Sequence, residues 1–174
     1  LAINNYRSVR DLVMPLTRLN LITGANGSGK SNLYKALRLL ASTARDGIIA
    51  PLAHEGGLTS LMWAGSDDRS GKVRRGEVPA YGRARGTPAP RLRLGFGSDD
   101  FGYAVSMGIV TPPGNATRER GSSFQLDPEF KHECIWAGPF LRPASVLIER
   151  ENNVVRRRAN RDWEVLTHHL PRYA

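Results

Sequence analysis

Leu1 and Ile3, then Val9, Leu12, Met14 and Leu16, fall mainly at two-residue spacing, with interruptions at Asn4-Asn5 and Pro15. This alternation predicts two short strands joined around Arg7-Ser8. Leu19-Asn20-Leu21-Ile22-Thr23 predicts a third strand that runs directly into glycine-rich sequence at Gly24. After Gly29 the period changes. Leu33, Ala36, Leu37, Leu40 and Ala41 share one helical face, with Tyr34, Lys35 and Arg38 off it. A helix is expected from about Lys30 to Ala44, ended near Asp46-Gly47, and a second short helical stretch between Pro51 and Trp63.

From Gly65 to Pro90 the only large apolar residues are Val73, Val78 and Tyr81, among many Gly, Arg, Ser and Pro. Such a stretch buries too little surface to offset the entropy of ordering it, so residues 65–90 read as an insertion loop. A hairpin is expected next, from Arg91–Phe96 through a turn at Ser98-Asp99-Asp100. Its second strand places Phe101, Tyr103, Val105, Met107 and Ile109 on one face. A second Pro/Gly-rich loop, Thr111 to Ser122, precedes weaker strands at Ser123–Leu126 and Cys134–Trp136. A last hairpin spans Val146 to Arg158, turning at Glu151-Asn152-Asn153.

The chain has 174 residues, about one domain's length. No apolar run approaches the roughly 18 residues of a membrane span, and Leu1–Arg10 lacks a secretion-signal layout. Cys134 is the single cysteine, which excludes an internal disulfide framework and zinc sites built on paired cysteines, and points to the cytoplasm. Formal net charge is +9, from 25 Lys and Arg against 16 Asp and Glu. Only four of the cations are Lys. Net charge favours anionic partners such as DNA, whereas a GC-biased composition raises Arg with no binding surface at all. The clusters Arg69–Arg93 and Arg156-Arg157-Arg158-Arg161 fit either account: phosphate contact, or charge guarding a loop and a strand edge.

One motif carries specific chemistry. Gly24-Ala25-Asn26-Gly27-Ser28-Gly29-Lys30-Ser31 matches G-x-x-x-x-G-K-[ST], the phosphate-binding P-loop. Gly24 lets the chain leave the preceding strand, and residues 25 to 29 can curl so that backbone N–H groups form an anion nest. Gly29 permits close approach to the phosphates, and the following helix aims its positive end there. Lys30 reaches the β- and γ-phosphates, Ser31 supplies a hydroxyl for Mg²⁺, and Asn32 follows in the first helical turn. At average residue frequencies such a match arises by chance in roughly 0.5–1% of chains this long. An apolar run before it and an amphipathic pattern after it make chance a poorer account still.

Asn4-Asn5-Tyr6-Arg7-Ser8, Leu19–Thr23 and the run from Gly24 to Leu33 together resemble the N-terminal lobe of ABC-type ATPase heads, in the soluble group with RecF-like, SMC-like and OLD-like heads. Leu52–Gly57 and Trp63-Ala64-Gly65 look like the bacterial AAA-type ATPases of that group. The resemblance is specific over residues 1–65 and architectural beyond. It implies an α/β fold, a P-loop NTPase lobe with a mixed, largely antiparallel sheet around the P-loop helix. On this account residues 1–174 form a partial head, since the chain starts without Met. ATP and Mg²⁺ are the implied cofactors, with hydrolysis, nucleotide-dependent homodimer formation and action on DNA in the complete protein. It also implies a nucleotide contact from Arg7, which on position alone reads more readily as a solvated charge at a strand end. A non-hydrolysing nucleotide-dependent switch is the alternative.

Two features of such heads are absent from the sequence: four apolar residues followed by Asp-Glu, and a Ser-Gly-Gly signature. Phe124–Glu129 is the nearest mimic, with Gln125 breaking the apolar run and Asp127 and Glu129 as its acids. Val146–Arg150 has the run but ends in Glu-Arg. His54, His132, His168 and His169 have no metal-ligand spacing, and Cys134 reads as a core residue.

Overall fold

The structure is a computed structural model that describes residues 1–45, 47–63, 90–109, 128–160 and 162–168. Alternation at the N-terminus produces a hairpin, β1 (Ala2–Tyr6) and β2 (Val9–Val13), turning at Arg7-Ser8 as the pattern predicts. The helix with the 3.6-residue period, α1, spans Lys30–Ser42 and buries Leu33, Ala36, Leu39 and Leu40. Two short helices follow, α2 (Ile49–His54) and α3 (Leu58–Leu61). The remaining strands are β3 (Leu92–Gly97), β4 (Phe101–Ile109), β5 (Pro128–Ala137), β6 (Val146–Glu151), β7 (Val154–Ala159) and β8 (Asp162–Thr167).

All eight strands form one sheet in the order β2-β1-β3-β4-β5-β6-β7-β8. Every pairing among these strands is antiparallel, so the expected mixed sheet is corrected to an antiparallel one. From β3 onward each strand pairs with the next in sequence, and short turns join β3 to β4, β6 to β7 and β7 to β8. Asn152 and Asn160, at φ 55° and 59°, begin the last two turns; asparagine tolerates this left-handed conformation better than most side chains.

The helices cover one face of the sheet. Ile3 of β1, Leu92 and Leu94 of β3, Val105 and Met107 of β4 and Phe130 of β5 pack in one core with Leu33, Leu40, Leu52, Leu58 and Leu61. At the ends of the β4 row the expected burial weakens, with Phe101 left 46% exposed. A smaller cluster, Cys134, Trp136 and Val146 with Ala104, occupies the β4–β6 part of the sheet. Its floor is Gly102, where an added Cβ would stand 2.1 Å from the Trp136 ring.

Three expectations are corrected. Leu19–Thr23 forms no strand, and Leu19 and Leu21 are each 88% exposed. A strand needs a hydrogen-bonded neighbour, and among the described residues none lies beside this segment. Side chains fold its start into a turn instead: the Thr17 amide donates to Asn20 Oδ1 at 3.0 Å, and Asn20 Nδ2 donates to the Thr17 carbonyl at 2.7 Å. The weak strand at Cys134–Trp136 is the end of a ten-residue strand, β5, with a register shift opposite Ser106/Met107. Strand β8 was not expected at all. The insertion loop 65–90 (except Pro90), the loop 111–122 and the strand at 123–126 lie outside the described residues.

Candidate nucleotide site

The segment from Gly24 to Ser31 turns tightly before entering α1. The Ser28 amide donates to the Ala25 carbonyl at 3.2 Å, and the helical ladder begins where the Leu33 amide donates to the Gly29 carbonyl at 3.0 Å. The N–H groups of Lys30, Ser31 and Asn32 precede the first intrahelical donor, the Leu33 amide, so they are the donors a helix start offers to an anion. No acidic side chain stands in that first turn. Gly29 caps the helix at φ 97°, and an added Cβ would lie 2.9 Å from Ser8 Oγ. A side chain at Gly29 would be strained by the backbone conformation and would also require Ser8 Oγ to shift.

Lys30 bends over the loop. Its Nζ donates to the carbonyls of Gly24 and Ala25 at 2.6 and 2.7 Å, which places the ammonium at the mouth of the turn. Ser31 is exposed on the first turn of α1. Asn32 Nδ2 donates to Ser8 Oγ at 2.8 Å, so the loop-to-helix junction is braced by the β1–β2 turn. Gly24, Ala25, Asn26, Gly27, Ser28, Gly29, Lys30, Ser31 and Asn32 are thus brought together as one surface element, as contiguity requires.

Arg7 lies in the same neighbourhood but its guanidinium is engaged: Nη2 pairs with Glu55 Oε2, and Lys35 Nζ of α1 lies 3.5 Å from the same oxygen. Glu55, at the end of α2, was singled out only as part of a resembling segment. Nothing in its local sequence signals partners on the β1–β2 turn and α1.

Of the two mimics of the acidic strand, only Val146–Arg150 lies wholly within the described residues. Phe124–Asp127, Gln125 included, lies outside the described residues. Glu129 is buried at the start of β5 and pairs with Lys131. Val146–Arg150 forms β6, an antiparallel strand with Leu147 and Ile148 45% and 39% exposed, unlike a buried parallel strand.

Arg156 and Arg157 of β7 pair with acids on the neighbouring strands while their side chains stay exposed to solvent. Arg156 donates to Glu149 Oε2 from Nε at 3.0 Å and from Nη2 at 2.8 Å, and Arg157 Nε donates to Glu164 at 2.8 Å. Arg156 also stands 4.9 Å over the Trp163 ring. His132 Nε2 meets the other Glu149 oxygen at 2.7 Å. Burial raises the Glu149 carboxyl, but the bonds from His132 and Arg156 outweigh it and hold the group below its ordinary value. Burial first, then Glu149 and Glu133, push the Cys134 thiol up to about 11, consistent with an inert core cysteine. Among the described residues no group of three or more His, Cys, Asp or Glu is placed to hold a metal ion. No helix among them is long and apolar enough to cross a membrane.

A family model described as AAA ATPase domain matches residues 1–73. No curated protein and no solved structure matches the chain. The matched span contains the loop, α1, the β1–β2 turn and Glu55, and it supports an AAA-type P-loop ATPase segment.

Proposed function

We propose that this chain binds Mg-ATP through the Gly24–Asn32 loop, as the nucleotide-gripping lobe of an ATPase head. The observation that carries the reading is the junction itself: a P-loop sequence, a helix start with unpaired N–H donors, and an ammonium held across the turn. Phosphate oxygens would replace the Gly24 and Ala25 carbonyls as acceptors for Lys30. The hydroxyl of Ser31 is a hard oxygen donor at the right helical position. With nucleotide oxygens and water it suits Mg²⁺, which when bound would neutralise phosphate charge. Arg7 enters through its turn, whose neighbour Ser8 touches the loop.

Hydrolysis asks for more. A water must be held in line and developing charge must be met, and the sequence carries no apolar run ending in Asp-Glu to do so. We assign turnover, pairing of two heads and any action on DNA to a complete ATPase; the DNA part rests on net charge and on the resemblance. Lys30→Ala is the direct test. By isothermal calorimetry, Mg-ATP affinity should fall at least tenfold, about 1.4 kcal/mol. Equal affinity in the variant would remove the assignment. DNA contact should appear as duplex binding whose log–log salt slope is roughly −0.9 per phosphate neutralised; no binding at low salt would leave composition as the source of the charge.

A further inference from the structure

The β1–β2 turn is fixed from two sides. Its backbone docks on α3 and the residues after it: the Arg7 amide donates to the Leu61 carbonyl at 2.7 Å, and the Trp63 amide donates to the Asn5 carbonyl at 3.2 Å. Its side chains reach the helix that begins at the P-loop. Ser8 Oγ accepts from Asn32 and stands where a Cβ on Gly29 would collide, while Arg7 pairs with Glu55. Glu55 in turn approaches Lys35, one helical turn along from Ser31 on the same face of α1. One carboxylate thus ties α2, the β1–β2 turn and α1 together just below the loop.

We propose that Glu55 is a positioning residue for nucleotide binding: by holding Arg7 and Lys35 it seats Ser8 against Gly29 and Asn32 and so sets the conformation of the loop-to-helix junction. This rests on the nucleotide reading of that loop. Arg7 has φ 46°, a left-handed backbone that a long side chain seldom adopts. Its ion pair and the bond to Leu61 hold the turn in that conformation. Arg7 and Glu55 keep 27% and 32% of their side-chain surface, and ion pairs that exposed add little to global stability. The effect therefore falls on local geometry, where displacement of a cradle by a fraction of an ångström weakens every phosphate contact together.

The experiment compares Glu55→Gln, Ser8→Ala, the double variant and Lys30→Ala in the full 174-residue chain, by calorimetric titration with Mg-ATP and by thermal melting. Glu55→Gln should weaken binding about three- to tenfold while the melting temperature stays within about 2 °C of the parent. Because Glu55 acts through Ser8, the double variant should lose little more than either single one. Glu55→Asp, which keeps a carboxylate between Arg7 and Lys35, should retain much of the affinity that Glu55→Gln loses, which a general loss of packing would not allow. Parental affinity in Glu55→Gln, with the tenfold loss intact in Lys30→Ala, would overturn the positioning role and leave the nucleotide site standing. Parental affinity in Lys30→Ala would overturn the nucleotide reading itself, and the positioning role with it.

Discussion

Lys30 and Gly29 divide the work of the junction between charge and shape. Lys30 supplies a compact cation whose acceptors are two loop carbonyls. Gly29 supplies a left-handed backbone with Ser8 Oγ where a side chain would be. Gly29→Ala should therefore cost about 1–3 kcal/mol from backbone strain and contact, read as a lower urea midpoint, together with loss of Mg-ATP binding. An unchanged midpoint would mean that Ser8 yields freely. Both residues were legible from the motif, because the loop's chemistry is local and its spacing fixed. Glu55 was not legible as a partner of Arg7, since 48 residues separate them and ion pairing leaves no periodic trace.

At the scale of elements, the β4–β6 part of the sheet rests on two contacts between neighbouring strands. Trp136 of β5 lies over Gly102 of β4, and an alanine there would need its Cβ 2.1 Å from the ring. Gly102→Ala should destabilise by about 1–3 kcal/mol or more by overpacking, visible in chemical denaturation; a neutral result would show that the indole can swing away. Glu149 of β6 joins His132 of β5 and Arg156 of β7. Its folded carboxyl ionises more readily than in the unfolded chain, so the stabilisation is fully present above the unfolded pKa and is lost as pH falls through the lower folded value. Glu149→Gln should flatten the acid limb of stability against pH. An unaltered acid limb would contradict the linkage.

Helix α1 and the β3–β4 hairpin followed from periodicity, because each buries a defined stripe. Leu19–Thr23 has the same alternation but no neighbouring strand among the described residues, and its polar residues satisfied themselves in a turn. Pattern states what a segment would bury, not whether a partner stands beside it. Strand β8 failed the opposite way. As an edge strand it is exposed along most of its length, so no core requirement marks its sequence.

Across the whole molecule, the helices and loop that build the candidate site lie in the first 63 residues, inside the span matched as an AAA ATPase domain, while six further antiparallel strands extend the sheet on which they rest. Such a body can grip a nucleotide without turning it over. Phosphate release by the isolated chain should stay near the uncatalysed background. A rate of about 1 s⁻¹ or above, abolished by Lys30→Ala, would mean that acids set aside here, Asp127 and Glu129 first, take part.

The claim that nucleotide binds at the Gly24–Asn32 junction is tested most directly by amide NMR of the chain titrated with Mg-ATP. The account predicts that the largest saturable shifts fall on Gly27 to Asn32 and on Ser8, and that Lys30→Ala abolishes them. Shifts absent from that junction at saturating nucleotide, or concentrated on β5 to β8, would contradict it.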